Sequence, residues 1–234
     1  PRRRLVTAAA STADGRRTHP VAGLECVEVA VSLFSPPEGA AAPDPRASGG
    51  PLPVTVLEAT AASQEILVDM ALEEDGGGDG DGAVGLEQGD PYGAVLWPAS
   101  RTVAEYLLSD AGGRDGGAPP RSLLELGAGS GLVSIACAVH GTFAPILATD
   151  YEPVALEMAA YAHGRLNGGA AGDVAFALFD ICDASVPLPP ADVVVAADVM
   201  YEPVTGAAVA ARAVEALRRG SRVIVGDSPG RAGR

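Results

Sequence analysis

The chain has 234 residues, a formal net charge of −14, 47% hydrophobic residues and only 4% aromatic ones. That length suits one domain plus an extension, with a core built from Val, Leu and Ala rather than from aromatic rings. The acidity argues against nucleic acid as the main partner, since backbone recognition relies on basic patches, and no apolar run approaches the roughly 20 residues that span a bilayer.

All sixteen basic residues are arginine, so the chain carries no lysine of its own. Cys26, Cys137 and Cys182 are an odd count without metal-ligand spacing, which suits a reducing compartment, and a cytoplasmic location is expected. At the N-terminus Arg2, Arg3, Arg4, Arg16 and Arg17 stand against Asp14 alone. Residues 1–22 therefore read as disordered or transit-like, the second of which would send the protein to a mitochondrion or plastid.

Residues 23–89 read as an N-terminal extension. Val27, Val29, Val31 and Leu33 alternate with Glu28, Ala30 and Ser32, which predicts a half-buried strand over 24–33. A Pro-, Gly- and Ala-rich loop over 35–53 leads to a return strand over 54–58. Ser63 is expected to cap a short helix with Ile66, Met70 and Leu67 on its apolar side. Gly76 to Gly82 reads as a flexible acidic linker.

Residues 90–234 read as the larger unit. Asp90-Pro91-Tyr92-Gly93-Ala94-Val95-Leu96-Trp97-Pro98 holds the only tryptophan, ahead of a helix with Ser100 as its N-cap and Val103, Tyr106 and Leu107 as its apolar stripe. A Gly/Pro-rich turn over 112–120 follows. Ser122 to Val133 then passes from an apolar run through Glu125 and the alternate glycines Gly127, Gly129 and Gly131. That is the pattern of a buried parallel strand, a tight turn and a helix N-terminus, where a ligand can approach bare backbone.

The dinucleotide fingerprint G-x-G-x-x-G fails here, because its last glycine would fall on Leu132 or Ser134. Glu125 would repel a pyrophosphate, whereas it suits a cofactor with a cationic amino-acid end. S-adenosylmethionine, with an α-ammonium, a sulfonium and no phosphate, is the expected ligand. Strands over 145–149, 174–179, 192–197 and 222–226 alternate with helices over 132–139, 153–166 and 204–219. Acids close the strands at Asp150, Asp180, Asp198 and Asp227. The expectation is a doubly wound α/β sheet binding its ligand outside the strand carboxyl ends, with Asp150 placed to hold a ribose diol.

The glycine motif, Asp150, Asp180 and Asp198-Val199-Met200-Tyr201 resemble the class I, seven-β-strand S-adenosylmethionine methyltransferases, which have a Rossmann-like fold. Gly93 to Pro98 and the D-x-x-Y narrow the resemblance to the methyltransferase-like protein-lysine methyltransferases. Gly226-Asp227-Ser228-Pro229-Gly230-Arg231 is similar to a run in the branch that acts on the electron-transfer flavoprotein β subunit.

The resemblance implies that Trp97 packs against the cofactor and that Glu125, Gly127, Gly129 and Gly131 form its methionine-side loop. It further implies that Asp180 and Ile181 flank the adenine and that Ala197 lies near the transferred methyl. Ile181 stands where the family often has Trp. Asp198 is expected to dock and orient the acceptor amine, with Tyr201 lining its channel. Two further strands would follow residue 226 in that class, so a piece of a longer protein is expected. The expected acceptor is a lysine of a protein substrate, with no nucleic acid and no membrane as partner. A small-molecule N-methyltransferase and a non-catalytic interaction protein of the same fold are the alternatives.

Overall fold

Two sheets of opposite character make up this computed structural model, which describes residues 10–11, 15–35, 50–75, 91–112, 121–168 and 174–228. The linker at 76–82, the turn at 113–120, the tail from residue 229, most of the 35–53 loop and most of the first 14 residues lie outside them.

The larger sheet is parallel throughout. It consists of β5 (Arg121–Leu126), β6 (Phe143–Asp150), β7 (Val174–Leu178), β8 (Val193–Ala197) and β9 (Arg222–Gly226), in the order β7-β6-β5-β8-β9. Side chains alternate faces along each strand. Leu124, Leu126, Val194 and Ala196 meet Val209 and Ala216 of α5 (Pro203–Arg218) on one side. Leu123, Val193, Val195 and Ala197 join the core on the other side, with α2 (Pro98–Gly112), α3 (Leu132–His140) and α4 (Pro153–Tyr161). A sheet covered on both faces reads in sequence as unbroken apolar runs, which is why the Val-Val-Val-Ala-Ala of β8 is buried throughout. The strand order reverses between β5 and β8, which opens a crevice at their carboxyl ends.

Local chemistry fixes the helix ends. Gly131 at φ 76° opens α3 and Gly141 at φ 75° closes it. Pro153 starts α4 behind Glu152, whose carboxylate accepts the Val154 N–H at 3.1 Å. Beyond Tyr161 the helix continues as a π turn over Ala162–Leu166.

The smaller sheet is antiparallel, with β1 (Ala10–Ser11), β2 (Arg17–Val21), β3 (Leu24–Leu33) and β4 (Leu52–Ala59) in that order. The β3–β4 pair is the hairpin expected from the alternation. The strand β2 corrects the reading of residues 17–21 as part of a disordered or transit-like segment. Its buried residues include the polar Thr18 and His19. His19 Nε2 lies 2.7 Å from Glu28 Oε1 on β3, and Nδ1 lies 3.1 Å from the Tyr161 hydroxyl on α4. No apolar periodicity announces such a strand.

Side chains weld this sheet to the larger unit. Asn167 imitates a neighbouring strand at the β4 edge, accepting the Thr55 N–H at 3.0 Å and donating to the Thr55 carbonyl at 2.7 Å. Arg101 of α2 donates to the carbonyls of Ser32 and Ser35, both at 3.1 Å. Leu33, Val54 and Val56 share one core with Leu132, Ile135 and Cys137.

Two helix expectations shift. The helix α1 (Ala61–Asp75) starts behind Thr60, whose Oγ1 accepts the Ser63 N–H at 3.3 Å. Ser63 is no cap; its hydroxyl bridges the Glu25 backbone, 2.9 Å from both the amide and the carbonyl. Leu67 is buried as expected, but Ile66 and Met70 are 50% and 44% exposed, because the helix rests on the sheet through the Ser63–Leu67 edge. Likewise α2 begins at Pro98, two residues before the expected Ser100 cap, and Tyr106 is exposed while Ala104 and Leu108 join Val103 and Leu107 inside. Among the described residues no helix is long and apolar enough to cross a membrane.

Candidate active site

The chain leaves β5 through three glycines. Gly127, Gly129 and Gly131 have φ of 68°, 50° and 76°, in the left-handed region that side chains disfavour. A Cβ on Gly127 would lie 2.8 Å from Val199 Cγ2, and one on Gly131 would lie 2.7 Å from Ala159 Cβ. The loop is tied to the end of β6. Ala128 N–H donates to the Thr149 carbonyl at 2.8 Å, and Gly129 N–H donates to Asp150 Oδ2 at 2.8 Å. The other Asp150 oxygen accepts the Glu152 N–H at 3.0 Å. Asp150 thus ends β6 with its carboxylate bracing the glycine loop against the start of α4.

Glu125 is buried against α3. It is 2% exposed, and its Oε2 accepts the Ser134 N–H at 3.0 Å together with the Ser134 hydroxyl. Ser134 is the third residue of α3, so the carboxylate anchors the start of that helix. Burial pushes its pKa up from 4.5 to about 7, against the opposing pull of the Ser134 bonds.

The raised value has a signed consequence. Between pH 4.5 and about 7 the folded protein binds the Glu125 proton more tightly than the unfolded chain does. The contribution of this group to stability therefore falls as pH rises through that window, by on the order of 3 kcal/mol in total. Glu125→Gln keeps an oxygen for Ser134 and removes the titration. Urea unfolding of both proteins at about pH 5 and about pH 8 should show the variant gaining roughly that amount on the wild type at the higher pH. A pH-independent difference between them would contradict the assignment.

Asp198 stands at the end of β8 with φ 58° and is buried. Its Oδ2 accepts the Ala99 N–H at 2.7 Å and the Ser228 hydroxyl at 2.9 Å, and its Oδ1 accepts the Ser228 N–H at 2.7 Å. The carboxylate therefore caps α2 from outside, where Pro98 has no N–H to satisfy, and ties that helix to the segment after β9. These bonds engage the group that was expected to dock an acceptor amine.

Three rings converge on this rim. Tyr92, in a 3-10 turn over Pro91–Ala94, has its ring centroid 6.0 Å from Trp97 and 6.1 Å from Tyr201. Trp97 Nε1–H donates to the Tyr92 carbonyl at 2.8 Å. The turn lies close over the glycine loop, since a Cβ on Gly129 would sit 3.5 Å from the Gly93 carbonyl oxygen. Gly93 itself packs on α4, its Cβ position 3.2 Å from Ala155 Cβ. In sequence only the aromatic character of Tyr92 beside Gly93 marks it.

Asp180 and Ile181 follow β7 in a loop that starts beside Asp150, where Phe179 N–H donates to the Asp150 carbonyl at 2.9 Å. Asp180 Oδ1 accepts the Cys182 N–H at 2.7 Å. Arg212 of α5, only 5% exposed, holds this loop from behind. It donates to the carbonyls of Ile181 at 3.0 Å and Val186 at 2.9 Å, to that of Asp183, and to Glu215 Oε2 at 3.0 Å. Its guanidinium also lies 5.0 Å from the centre of the Phe179 ring. In sequence it is one arginine in an alanine-rich helix, and nothing there distinguishes it from a solvated charge. Ala197 is buried at the end of β8. Among the described residues no group of three His, Cys, Asp or Glu could hold a metal ion.

A doubly wound parallel sheet with a three-glycine loop at its switch point and acids around the rim defines a Rossmann-like fold for a nucleoside-bearing cofactor. A family model described as lysine methyltransferase matches residues 83–225, more than half of the chain, and the chain belongs to that family. One relative is the electron transfer flavoprotein beta subunit lysine methyltransferase of Danio rerio, 36% identical over 66 residues. That match covers 28% of this chain and 24% of the zebrafish protein, about a quarter of its length.

Among solved structures, the ribosomal protein L11 methylase of Lactobacillus delbrueckii subsp. bulgaricus has 20% identity and a TM-score of 0.42, over 56% of this chain and 61% of that one. A TehB-like SAM-dependent methyltransferase of Corynebacterium glutamicum has 19% identity and a TM-score of 0.44, over 75% of this chain and 78% of that one. A lysine methyltransferase family implies S-adenosylmethionine as the methyl donor. The site fits it, because bare glycine backbone at the N-terminus of α3 suits the carboxylate of an amino-acid end.

Proposed function

We propose that the protein is an S-adenosylmethionine-dependent protein-lysine N-methyltransferase. The observation that carries this reading is the meeting of the Asp150-braced glycine loop with the Tyr92–Trp97–Tyr201 rings at the switch-point rim. The bound donor supplies an electrophilic methyl on a sulfonium. Gly127, Gly129 and Gly131 would shape the amino-acid side of its cradle, Asp150 would hold its ribose, and Asp180, Ile181 and the Arg212-held loop would flank its adenine. Ala197 would lie near the transferred methyl at the end of β8.

Such a transfer is an in-line displacement, so catalysis rests largely on holding the acceptor in place. A lysine amine with a pKa of about 10.4 is neutral in only about one molecule in a few thousand at pH 7. A carboxylate against it would keep it protonated. With its oxygens engaged by Ala99 and Ser228, Asp198 acts as a positioning residue that sets α2 and Trp97, and Tyr201 lines the acceptor path. The net charge of −14 favours a basic segment as the substrate's docking partner and disfavours nucleic acid. Two buried thiols and the exposed Cys182, all unpaired, suit a reducing cytoplasm.

The test is to incubate the protein with methyl-labelled S-adenosylmethionine and a cell extract, hydrolyse the protein fraction and separate its amino acids. Because the chain has no lysine, any labelled Nε-methyl-lysine must come from another protein. Label in that amino acid is expected, and label confined to small molecules would contradict the reading. The name of the zebrafish relative makes the electron-transfer flavoprotein β subunit the first purified substrate to try.

A further inference from the structure

We infer that the exposed face of α1 is where the protein substrate docks, and that it takes a basic segment with apolar side chains beside the target lysine. The inference rests on the methyl-transfer reading and adds the surface by which the substrate is held.

Helix α1 is anchored on one side only. Ser63 and Leu67 are buried, whereas Ile66, Val68 and Met70 are 50%, 41% and 44% exposed. They are three of the eleven large hydrophobic residues exposed among the described ones, and they fall within five positions of one helix. Single apolar residues at a surface need no partner, but a cluster of them marks a contact site. Ile66 and Met70 stand one turn apart, so one face of the helix presents both.

Charge decides what covers that face. Glu65 and Asp69 are exposed, also one turn apart, and each directly precedes one of these apolar residues. Residues 47–100 hold ten Asp or Glu and no Arg, Lys or His. A second copy of this chain would set Glu65 and Asp69 against the same acids, and an anionic membrane surface would be repelled in the same way. A basic, partly apolar polypeptide satisfies both the charges and the hydrophobic side chains.

The position of α1 makes this face a substrate dock. The helix packs against the 3-10 turn over Pro91–Ala94, whose Gly93 carbonyl lies over the glycine loop. Just before α1, Glu58 Oε1 accepts the Leu96 N–H at 2.8 Å, which ties the start of the helix to the segment that carries Trp97. From Glu65 to Met70 the helix advances about 7.5 Å, roughly the length of two residues of extended chain. A segment whose lysine enters at the rim therefore lays its neighbouring residues along α1.

The full chain is tested with methyl-labelled S-adenosylmethionine and a dilution series of cell extract, with label counted as Nε-methyl-lysine. Where the rate is proportional to extract concentration, Glu65→Gln/Asp69→Asn should transfer label about fivefold more slowly than the wild type. Ile66→Ser/Met70→Ser should be slower by about the same factor. Glu157→Arg, an equal change in net charge at an exposed position of α4, should keep the wild-type rate. Titration calorimetry should show all of these proteins binding S-adenosylmethionine as the wild type does.

Wild-type rates in both α1 variants would overturn the dock and leave the methyl-transfer reading standing. An equal loss in Glu157→Arg would overturn it too, because the field of the whole chain rather than α1 would then attract the substrate. A dimer lost in Ile66→Ser/Met70→Ser, seen by sedimentation, would assign the face to a second copy. A fall in the urea midpoint of that variant as large as that of Leu67→Ala would assign it to the chain's own residues, and either result overturns the dock. A wild-type protein that labels no lysine overturns the methyl-transfer reading and the dock together.

Discussion

Gly131→Ala is expected to destabilise the protein by about 2–5 kcal/mol and to abolish cofactor binding. Two costs add. A left-handed backbone at φ 76° costs a residue with a Cβ roughly 1–2 kcal/mol. The new carbon would sit 2.7 Å from Ala159 Cβ and 3.3 Å from Ile135 Cδ1, and such overpacking costs about 1–3 kcal/mol. Relief would require α3 and α4 to move apart, which would also shift Gly129 away from Asp150. Gly141→Ala separates the two costs, because that glycine has φ 75° but no atom within 4 Å of its Cβ position. Urea unfolding should show it losing only about 1–2 kcal/mol. Equal losses at the two positions would mean that the loop does not press on α4.

Arg212→Met should lose about 2–4 kcal/mol and loosen the loop over residues 180–188. The side chain donates to three backbone carbonyls and one carboxylate from a buried position, and methionine leaves these acceptors unpaired. Arg212→Lys should recover only part of the loss, since an ammonium cannot reproduce a planar fork. Urea unfolding measures the stability. Hydrogen exchange over residues 180–188 should rise in both variants while that of β5 and β8 stays slow. Exchange raised equally across the sheet would show that Arg212 serves the whole fold rather than this loop.

The parts of the molecule that can be read from the sequence are those whose cause is local or periodic. The strands β5 and β8 are apolar runs because both faces of the sheet are covered. The glycine loop is legible because its backbone and its neighbours Val199 and Ala159 exclude any side chain. What stays hidden depends on distant partners. The strand β2 forms around a buried His19 whose second partner, Tyr161, is 142 residues away.

The same limit applies to the site. Asp150 and the glycines stand where their spacing put them, yet the spacing cannot tell which way an acid points. Glu125 turns to Ser134, and Asp198 turns to α2 and Ser228, because each finds backbone N–H groups there that need an acceptor. Ile66 and Met70 read as a buried stripe and are exposed, because the sheet beneath α1 takes up only Ser63 and Leu67.

If the glycine loop, Asp150 and the rings over them hold S-adenosylmethionine, isothermal titration of that cofactor into the full chain will show it. A single site per chain is expected, with a Kd in the micromolar to millimolar range typical of enzyme ligands and with binding lost in Gly131→Ala. A folded wild-type protein that gives no binding heat at millimolar cofactor, or a Gly131→Ala protein that binds as well as the wild type, would contradict it.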